Sequence, residues 1–216
     1  MKKFNIAILQ TKVYDDKDKN IHEAVQLIKK SSVKGADIVI LPEMFCCPYN
    51  TSKFREYGEA EGGMIHRALS NAAAANGIYL VGGTVPELDG NSVYNTSYVF
   101  DRNGVQIAKH RKMHLFDINV EGGQYFKESD VLSPGNKVTV FDTEFCKIGL
   151  AVCYDIRFPE LSRLMALEGA EVIIIPGAFN MTTGPAHWET LFKARALDNQ
   201  VYAIGVAPAR DYESSY

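Results

Sequence analysis

Short apolar runs alternate with amphipathic segments along most of the chain. The runs Ile38–Leu41 and Val172–Ile175 are β-branched and apolar at successive positions, which is typical of strands that are buried on both faces. The segment Asn20–Lys34 instead repeats its apolar positions with the period of an amphipathic helix, and Gly35 ends it. Those positions are Ile21, Ala24, Val25 and Ile28. The pattern therefore predicts buried strands joined by helices that cover a sheet.

The same two patterns, continuous apolar runs for strands and helically spaced apolar positions for helices, predict the other elements. Further strands are predicted over Phe4–Gln10, Ile78–Val81, Ser92–Phe100, Val105–His110, Val138–Phe141, Lys147–Val152 and Val201–Val206. Further helices are predicted over Ile65–Asn76, from Pro159 to Gly169 and over Thr190–Asn199. Asn103-Gly104 lies between two strand-like runs and indicates a hairpin. Alternating strands and helices predict an α/β fold of mixed sheets, and the pattern fits either two stacked sheets or one wide sheet.

Composition limits the class of protein. The chain has 216 residues with no repeat or linker, so we expect a single domain over residues 1–216. It is 46% hydrophobic, which allows a large core. The net charge of −3 and the lack of a basic run argue against a nucleic-acid partner. No apolar run approaches the ~20 residues of a membrane helix, so no membrane partner is expected.

The cysteines indicate a reducing compartment. Cys46 and Cys47 are adjacent, Cys146 and Cys153 lie far along the chain, and no pair has the spacing of a zinc site or a favourable disulfide. The N-terminus has too short an apolar stretch for a signal peptide. We therefore expect a cytoplasmic protein, with a mitochondrial location as the alternative, and neither a metal nor a cofactor.

Three polar residues lie at the ends of predicted strands or hairpins. Cys153 follows an apolar strand and precedes a predicted helix, a place where open α/β sheets expose side chains to a cleft. Glu43 follows the strand that ends at Leu41, and Lys112 follows the hairpin. A thiol, a carboxylate and an ammonium together suit covalent hydrolysis, because they supply a nucleophile, a base and an electrostatic partner.

Each of these residues has a simpler interpretation. Cys153 alone would be a small buried hydrophobe, Glu43 a loop acid, and Lys112 part of a solvated basic cluster. A second carboxylate could orient Lys112, and Glu128 and Glu121 compete for that role. Histidine is the common base for cysteine, and the two histidines that flank Lys112, His110 and His114, leave a Cys-His dyad open. The histidines in the predicted helices, His22 and His66, look solvated.

At these residues the chain resembles the nitrilase, or carbon–nitrogen hydrolase, superfamily. The matching segments are Leu41–Glu43, Arg111–Leu115 and Gly149–Glu160, in the order of the family. The family's Glu, Lys and Cys fall on Glu43, Lys112 and Cys153, and its second glutamate falls on Glu128, less securely on Glu121. The likeness extends to the omega-amidase branch through His114–Ile118, Leu132–Gly135, Pro176–Trp188 and Asp198–Tyr202.

The resemblance implies a four-layer αββα sandwich of two mixed sheets with helices outside, and a homodimer. Members of the family continue for several dozen residues beyond the position of Tyr216, so we expect the family's C-terminal segment to be absent. The implied activity is cleavage of the terminal amide of a small carboxylate-bearing amide, such as a 2-oxo acid amide, through a cysteine thioester.

Several further residues are candidates for the substrate pocket of such an enzyme. Arg157 would bind the substrate carboxylate, unless it forms a structural ion pair with Glu43, Asp155 or Glu160. The backbone N–H of Tyr154 would join Lys112 in binding the oxyanion. Tyr49, Thr183 and His187 would line the pocket.

Three rival functions remain. They are a nitrilase that uses the same three residues, a non-catalytic interaction protein on the same fold and, last, a nucleotide-binding domain suggested by Gly82-Gly83 without any phosphate-binding motif.

Overall fold

The apolar runs form two β-sheets in a computed structural model, which describes residues 2–119, 121 and 125–212. The first sheet contains six strands in the order β1-β2-β3-β5-β4, with β6 paired to β5. Their bounds are β1 Ile6–Ile8, β2 Ile38–Ile40, β3 Tyr79–Val81, β4 Val85–Asp89, β5 Ser92–Phe100 and β6 Gln106–Arg111. Strands β1, β2 and β3 are parallel, and the pairs that β5 makes with β3, β4 and β6 are antiparallel.

A small hairpin separates the first sheet from the second along the chain. It pairs β7 with β8, whose bounds are Asp117–Asn119 and Tyr125–Lys127. The second sheet has the order β12-β11-β10-β9, with β9 Val140–Asp142, β10 Lys147–Leu150, β11 Val172–Pro176 and β12 Tyr202–Val206. Only β9 is antiparallel to its neighbour.

In the part of the chain that the structure describes, five helices and two 3₁₀ turns connect these strands. The helices are α1 Lys17–Val33, α2 Thr51–Tyr57, α3 Met64–Asn76, α4 Pro159–Leu167 and α5 Gly184–Asn199. The 3₁₀ turns cover Glu128–Asp130 and Cys153–Arg157. Asp16 caps α1 by accepting a hydrogen bond from the backbone N–H of Lys19, and Gly77 ends α3 in the left-handed conformation.

Alternation along the strands builds the layers. In β2, Ile38 and Ile40 face the second sheet and pack against Ile148 and Ile174, whereas Val39 faces the outer cluster of α1 and α3. In the second sheet, the outward residues of β11 pack with α4 instead. The two sheets therefore share one core and carry helices on both outer faces, which confirms the αββα sandwich and excludes one wide sheet.

The element bounds differ from the predictions where local chemistry outweighs hydrophobic period. Helix α1 begins at Lys17 rather than Asn20, because Asp16 supplies the cap. Helix α5 begins at Gly184 rather than Thr190, with a proline in its first turn. The short elements α2, β4, β7 and β8 were not predicted.

The described residues bear on one predicted partner, the membrane, and on the bounds of the predicted domain. Within residues 2–119, 121 and 125–212, no helix is both long and apolar enough to cross a membrane. Residues 1 and 213–216, at the two ends of the predicted domain, lie outside the described residues. Tyr216, beyond which the family's C-terminal segment is expected to be absent, is one of them.

Candidate active site

The strand ends bring the predicted residues of both sheets to one place. Glu43 follows β2, Lys112 follows β6, and Cys153 follows β10 in the second sheet. Ala178, which comes just after β11, lies between them. Its backbone N–H donates to Oε2 of Glu43 at 2.7 Å, and its carbonyl oxygen lies 3.9 Å from Sγ of Cys153.

Glu43 is a buried carboxylate surrounded by donors. Its Oε1 atom accepts hydrogen bonds from Nδ2 of Asn95 at 2.8 Å, the hydroxyl of Tyr49 at 3.0 Å and Nζ of Lys112 at 3.2 Å. The side chain is 1% exposed, so the loop-acid interpretation of Glu43 does not hold. These donors compensate for the loss of water and fix the direction of the carboxylate.

Lys112 is fully buried between two carboxylates. Its Nζ lies 2.9 Å from Oε1 of Glu128 and 3.2 Å from Oε1 of Glu43. Burial opposes the charge, but Glu128 and Glu43 outweigh it and hold the pKa of Lys112 well above its ordinary value. Lys112 therefore remains an ammonium ion at neutral pH, and it is not part of a solvated cluster.

Glu128 occupies the position of the second carboxylate. It is buried and accepts the backbone N–H of Phe116 at 2.7 Å in addition to its bond with Lys112. The hydroxyl of Tyr49 also contacts Glu128. Burial raises the pKa of Glu128, against the effect of Lys112. Glu121 is exposed in the turn between β7 and β8, so the geometry favours Glu128 as the partner of Lys112.

Cys153 begins the 3₁₀ turn in a left-handed conformation, with φ of +47°. A non-glycine residue pays for this conformation in strain, and it aims the side chain out of the sheet. Burial raises the pKa of the Cys153 thiol well above its ordinary value, Glu43 raises it further, and Lys112 lowers it. The resting residue is therefore a thiol, and a base must remove its proton before it can attack.

The two histidines beside Lys112 do not serve the thiol. Nε2 of His110 lies 3.1 Å from Asp155, and Nδ1 of His114 lies 2.7 Å from the same carboxylate. His22 is exposed as predicted, whereas His66 is half-buried between the rings of Tyr98 and Phe100. The geometry thus favours Glu43 over a histidine as the base for Cys153.

A cleft opens over Cys153 and encloses about 270 Å³ of empty space, part of which is open solvent. Its lining is mostly aromatic and apolar, with polar groups from Arg157, Asn180 and Thr183. The lining residues are Tyr49, Phe116, Cys153, Tyr154, Arg157, Ala178, Phe179, Asn180 and Thr183. The predicted pocket residues Tyr49, Tyr154, Arg157 and Thr183 line it, whereas His187 is not among its lining residues.

Arg157 is the cation of this cleft. Its guanidinium lies over the rings of Tyr154 and Phe179, and Nη2 donates to Nδ1 of His187 at 3.0 Å. Because arginine can only donate, Nδ1 of His187 is the acceptor in this hydrogen bond. Within the described residues, Nε of Arg157 is buried without a hydrogen-bond partner, and no carboxylate forms an ion pair with the guanidinium. The alternative of a structural ion pair is therefore not supported.

Some residues of the site were missed from the sequence. Phe179 and Asn180 line the cleft after β11, and the rule that strand ends meet at a cleft could have found them. Asn95 lies in the middle of β5, where the polar run Asn95-Thr96-Ser97 within an apolar strand was the available signal.

Comparisons with known proteins cover the whole site. The sequence profile of the carbon–nitrogen hydrolase family matches residues 5–216. Omega-amidase NIT2 of Xenopus tropicalis is 51% identical over 216 residues, which are 100% of this chain and 78% of that protein. Omega-amidase NIT2 of Danio rerio is 49% identical over the same shares. The crystal structure of Saccharomyces cerevisiae Nit3, a member of branch 10 of the nitrilase superfamily, superposes with a TM-score of 0.89 at 43% identity, over 98% of this chain and 78% of that one.

Proposed function

This chain belongs to the carbon–nitrogen hydrolase family, and we propose that it is an omega-amidase that hydrolyses the terminal amide of a small carboxylate-bearing amide. The relatives named omega-amidase, which match the whole chain, support this activity. The observation that carries the assignment of residues is the meeting of Glu43, Lys112 and Cys153 in one buried site beside a cleft. A single domain over residues 1–216 is part of the proposal, and the core shared by the two sheets supports it.

Acylation begins when Glu43 takes the proton of the Cys153 thiol as the sulfur attacks the amide carbon. The carbonyl oxygen becomes an oxyanion that receives the ammonium of Lys112 and the backbone N–H of Tyr154. Glu43 then gives its proton to the departing nitrogen, the C–N bond breaks, and ammonia leaves behind a thioester on Cys153.

Deacylation reuses the same groups. A water molecule loses a proton to Glu43 and attacks the thioester carbon, and Lys112 again stabilises the oxyanion. The C–S bond breaks, the carboxylic acid product leaves, and Glu43 returns its proton to the sulfur. Glu128 takes no proton in this scheme. It holds Lys112 in place through the 2.9 Å contact between Oε1 and Nζ.

Arg157 in the lining of the cleft supports the proposed substrate class. Arg157 offers a guanidinium with a buried, unpaired Nε, and such a group binds a carboxylate through two parallel hydrogen bonds. A 2-oxo acid amide of the kind formed when glutamine or asparagine is transaminated has a carboxylate at one end and an amide at the other. His187 holds Arg157, and Tyr49 and Thr183 line the wall.

A nitrilase would use the same three residues on a nitrile carbon, and it is the second candidate. The substrate separates the two, because both reactions release ammonia and the same carboxylic acid but only the amidase consumes an amide. A non-catalytic interaction protein is disfavoured by the buried Glu43–Lys112 pair, since an unreactive scaffold has no reason to bury these charges beside a thiol.

The test measures ammonia release from a 2-oxo acid amide and from the nitrile of the same length. We expect turnover of the amide by the wild type and none by Cys153→Ala. Cys146→Ala is the matched control, because Cys146 is also a buried free cysteine but belongs to the core between the sheets. Intact-protein mass spectrometry of a quenched reaction should show an acyl adduct on the Cys153 peptide. Normal turnover by Cys153→Ala would refute the mechanism.

Quaternary structure and location complete the proposal. A homodimer is supported by the exposed leucines of the outer helices, Leu164 and Leu167 of α4 and Leu197 of α5. A cytoplasmic location is supported by the four cysteines, which are all free and buried. Light scattering of the purified protein tests the first, and imaging of a fluorescent fusion tests the second against the mitochondrial alternative.

A further inference from the structure

The carboxylate of Asp155 is bound by the chain segment that carries Lys112. Its Oδ1 atom accepts hydrogen bonds from the backbone N–H of Met113 at 3.2 Å, the backbone N–H of His114 at 2.9 Å and Nδ1 of His114 at 2.7 Å. Its Oδ2 atom lies 3.1 Å from Nε2 of His110. These donors come from both sides of Lys112 in the sequence, so the carboxylate fixes the loop around that residue.

The same carboxylate is also part of the turn that carries Cys153. Oδ2 accepts the backbone N–H of Val152 at 3.0 Å, and the backbone N–H of Asp155 donates to the carbonyl of Val152 at 3.0 Å. These reciprocal bonds enclose Cys153, whose left-handed backbone needs support from its surroundings. One buried side chain therefore joins the turn after β10 of the second sheet to the loop after β6 of the first.

We propose that Asp155 is a positioning residue, and that its carboxylate sets the distance between the ammonium of Lys112 and the sulfur of Cys153. The inference rests on the proposed amidase function, because it assigns Lys112 the task of stabilising the oxyanion. Asp155 does not touch the substrate, since it is 1% exposed and does not line the cleft.

The negative charge of Asp155 suits this role. Burial opposes ionisation, but the hydrogen bonds from His110 and His114 outweigh it and hold the pKa of Asp155 below its ordinary value. An ionised carboxylate only accepts hydrogen bonds, which matches the donors around both oxygens. In Asp155→Asn the NH₂ group of the amide would replace one carboxylate oxygen and would face backbone N–H groups, so that donor would meet donor.

Asp155→Asn is the first variant, since asparagine has nearly the same shape as aspartate but cannot accept hydrogen bonds at both terminal atoms of its side chain. Displacement of Lys112 by about 1 Å should lower kcat about 10²-fold. KM for a 2-oxo acid amide should change less than kcat, because the guanidinium of Arg157 is held by His187 and by the rings of Tyr154 and Phe179 rather than by Asp155. Ile28→Val is the stability control, because Ile28 of α1 is buried in the outer cluster with Val39 rather than between the sheets, and its change should leave kcat as in the wild type.

Two matched pairs keep the test decisive if Asp155→Asn does not fold. His110→Gln retains a donor near the position of Nε2, and His110→Met removes it. His114→Asn retains a donor near the position of Nδ1, and His114→Leu removes it. In each pair, the variant that keeps the donor should have the higher kcat, and the comparison is made between variants whose melting temperatures are equal. Equal losses within both pairs would overturn the proposal.

A second readout separates positioning from general damage to the fold. Alkylation of Cys153 by iodoacetamide measures thiol reactivity without turnover, and it should slow in Asp155→Asn as the ammonium moves away. In the background Lys112→Met/Glu128→Gln, which removes one charge of each sign, Asp155→Asn should cause no further slowing. Equal slowing in both backgrounds, or none in the first, would overturn the role of Asp155. If wild type alkylates but releases no ammonia from any amide, the proposed function fails, and the alkylation comparison still decides this inference.

Discussion

Replacement of Arg157 by methionine should separate the two ends of the substrate. The variant keeps a long side chain between the rings of Tyr154 and Phe179 and removes the guanidinium. The thiol, the base and Lys112 are untouched, since none of them contacts Arg157 within the described residues. Catalysis on an amide that has no carboxylate should therefore proceed nearly as in the wild type.

The magnitude follows from the hydrogen bonds that a carboxylate would make. A hydrogen bond to a charged group contributes about 1.5–3 kcal/mol. Two such bonds contribute about 3–6 kcal/mol, so at about 1.36 kcal/mol per factor of ten Arg157→Met should lower kcat/KM for a 2-oxo acid amide about 10²- to 10⁴-fold. The loss should appear mainly in KM, because the carboxylate is bound equally in the ground state and the transition state.

The assay compares ammonia release from the 2-oxo acid amide with release from a neutral amide of the same length. Arg163→Met is the matched control, because Arg163 lies on the exposed side of α4 and donates to the backbone carbonyl of Asp198 in α5 rather than lining the cleft. Its two kcat/KM values should equal those of the wild type. An equal loss on both substrates for Arg157→Met would refute carboxylate binding and assign Arg157 a structural role.

Three further predictions concern buried charges and thiols. Lys112→Met should lower kcat ~10²- to 10³-fold, as expected when an oxyanion donor is lost. Circular dichroism checks that the variant is folded, and an unchanged kcat would contradict the mechanism. The lowered pKa of Asp155 means that its charge stabilises the fold above the ordinary aspartate pKa and that this stability is lost as pH falls. Urea unfolding should therefore show a constant difference in unfolding free energy between wild type and Asp155→Asn above about pH 5, and a shrinking one below about pH 4, whereas a pH-independent difference would contradict the argument. Burial raises the pKa of both thiols, that of Cys47 to about 12, but Cys153 has Glu43 beside it to take its proton. Peptide mapping after brief iodoacetamide treatment at pH 8 should therefore find label on Cys153 and none on Cys47.

The parts of the fold that could be predicted are those with a strong hydrophobic period. The buried strand Ile38–Ile40 and the helix Met64–Asn76 both lie where the apolar pattern placed them. Helix α2 and the hairpin of β7 and β8 could not be predicted, because short elements depend on the neighbours they contact rather than on their own sequence.

The site shows the same division. Strand ends and the family resemblance together indicated Glu43, Lys112 and Cys153, but spacing left Glu128 and Glu121 as competitors. Only the three-dimensional arrangement shows that Glu128 is buried against Lys112.

Asp155 shows what sequence spacing cannot reveal. It was visible only as a polar neighbour of the nucleophile and a possible partner of Arg157. Its role as a common acceptor depends on donors at His110, Met113 and His114, which the fold brings from another sheet.

The proposed base and nucleophile belong to different sheets. Glu43 and Lys112 extend from the first sheet and Cys153 from the second, so no single layer contains a working centre. The distance between Sγ of Cys153 and the carboxylate of Glu43 therefore depends on how the side chains between the two sheets are packed. A slightly smaller side chain at Ile40 or Ile174, which lie in this interior next to the strand ends that carry the site, would let the sheets move closer there and lower the rate while the protein remained folded.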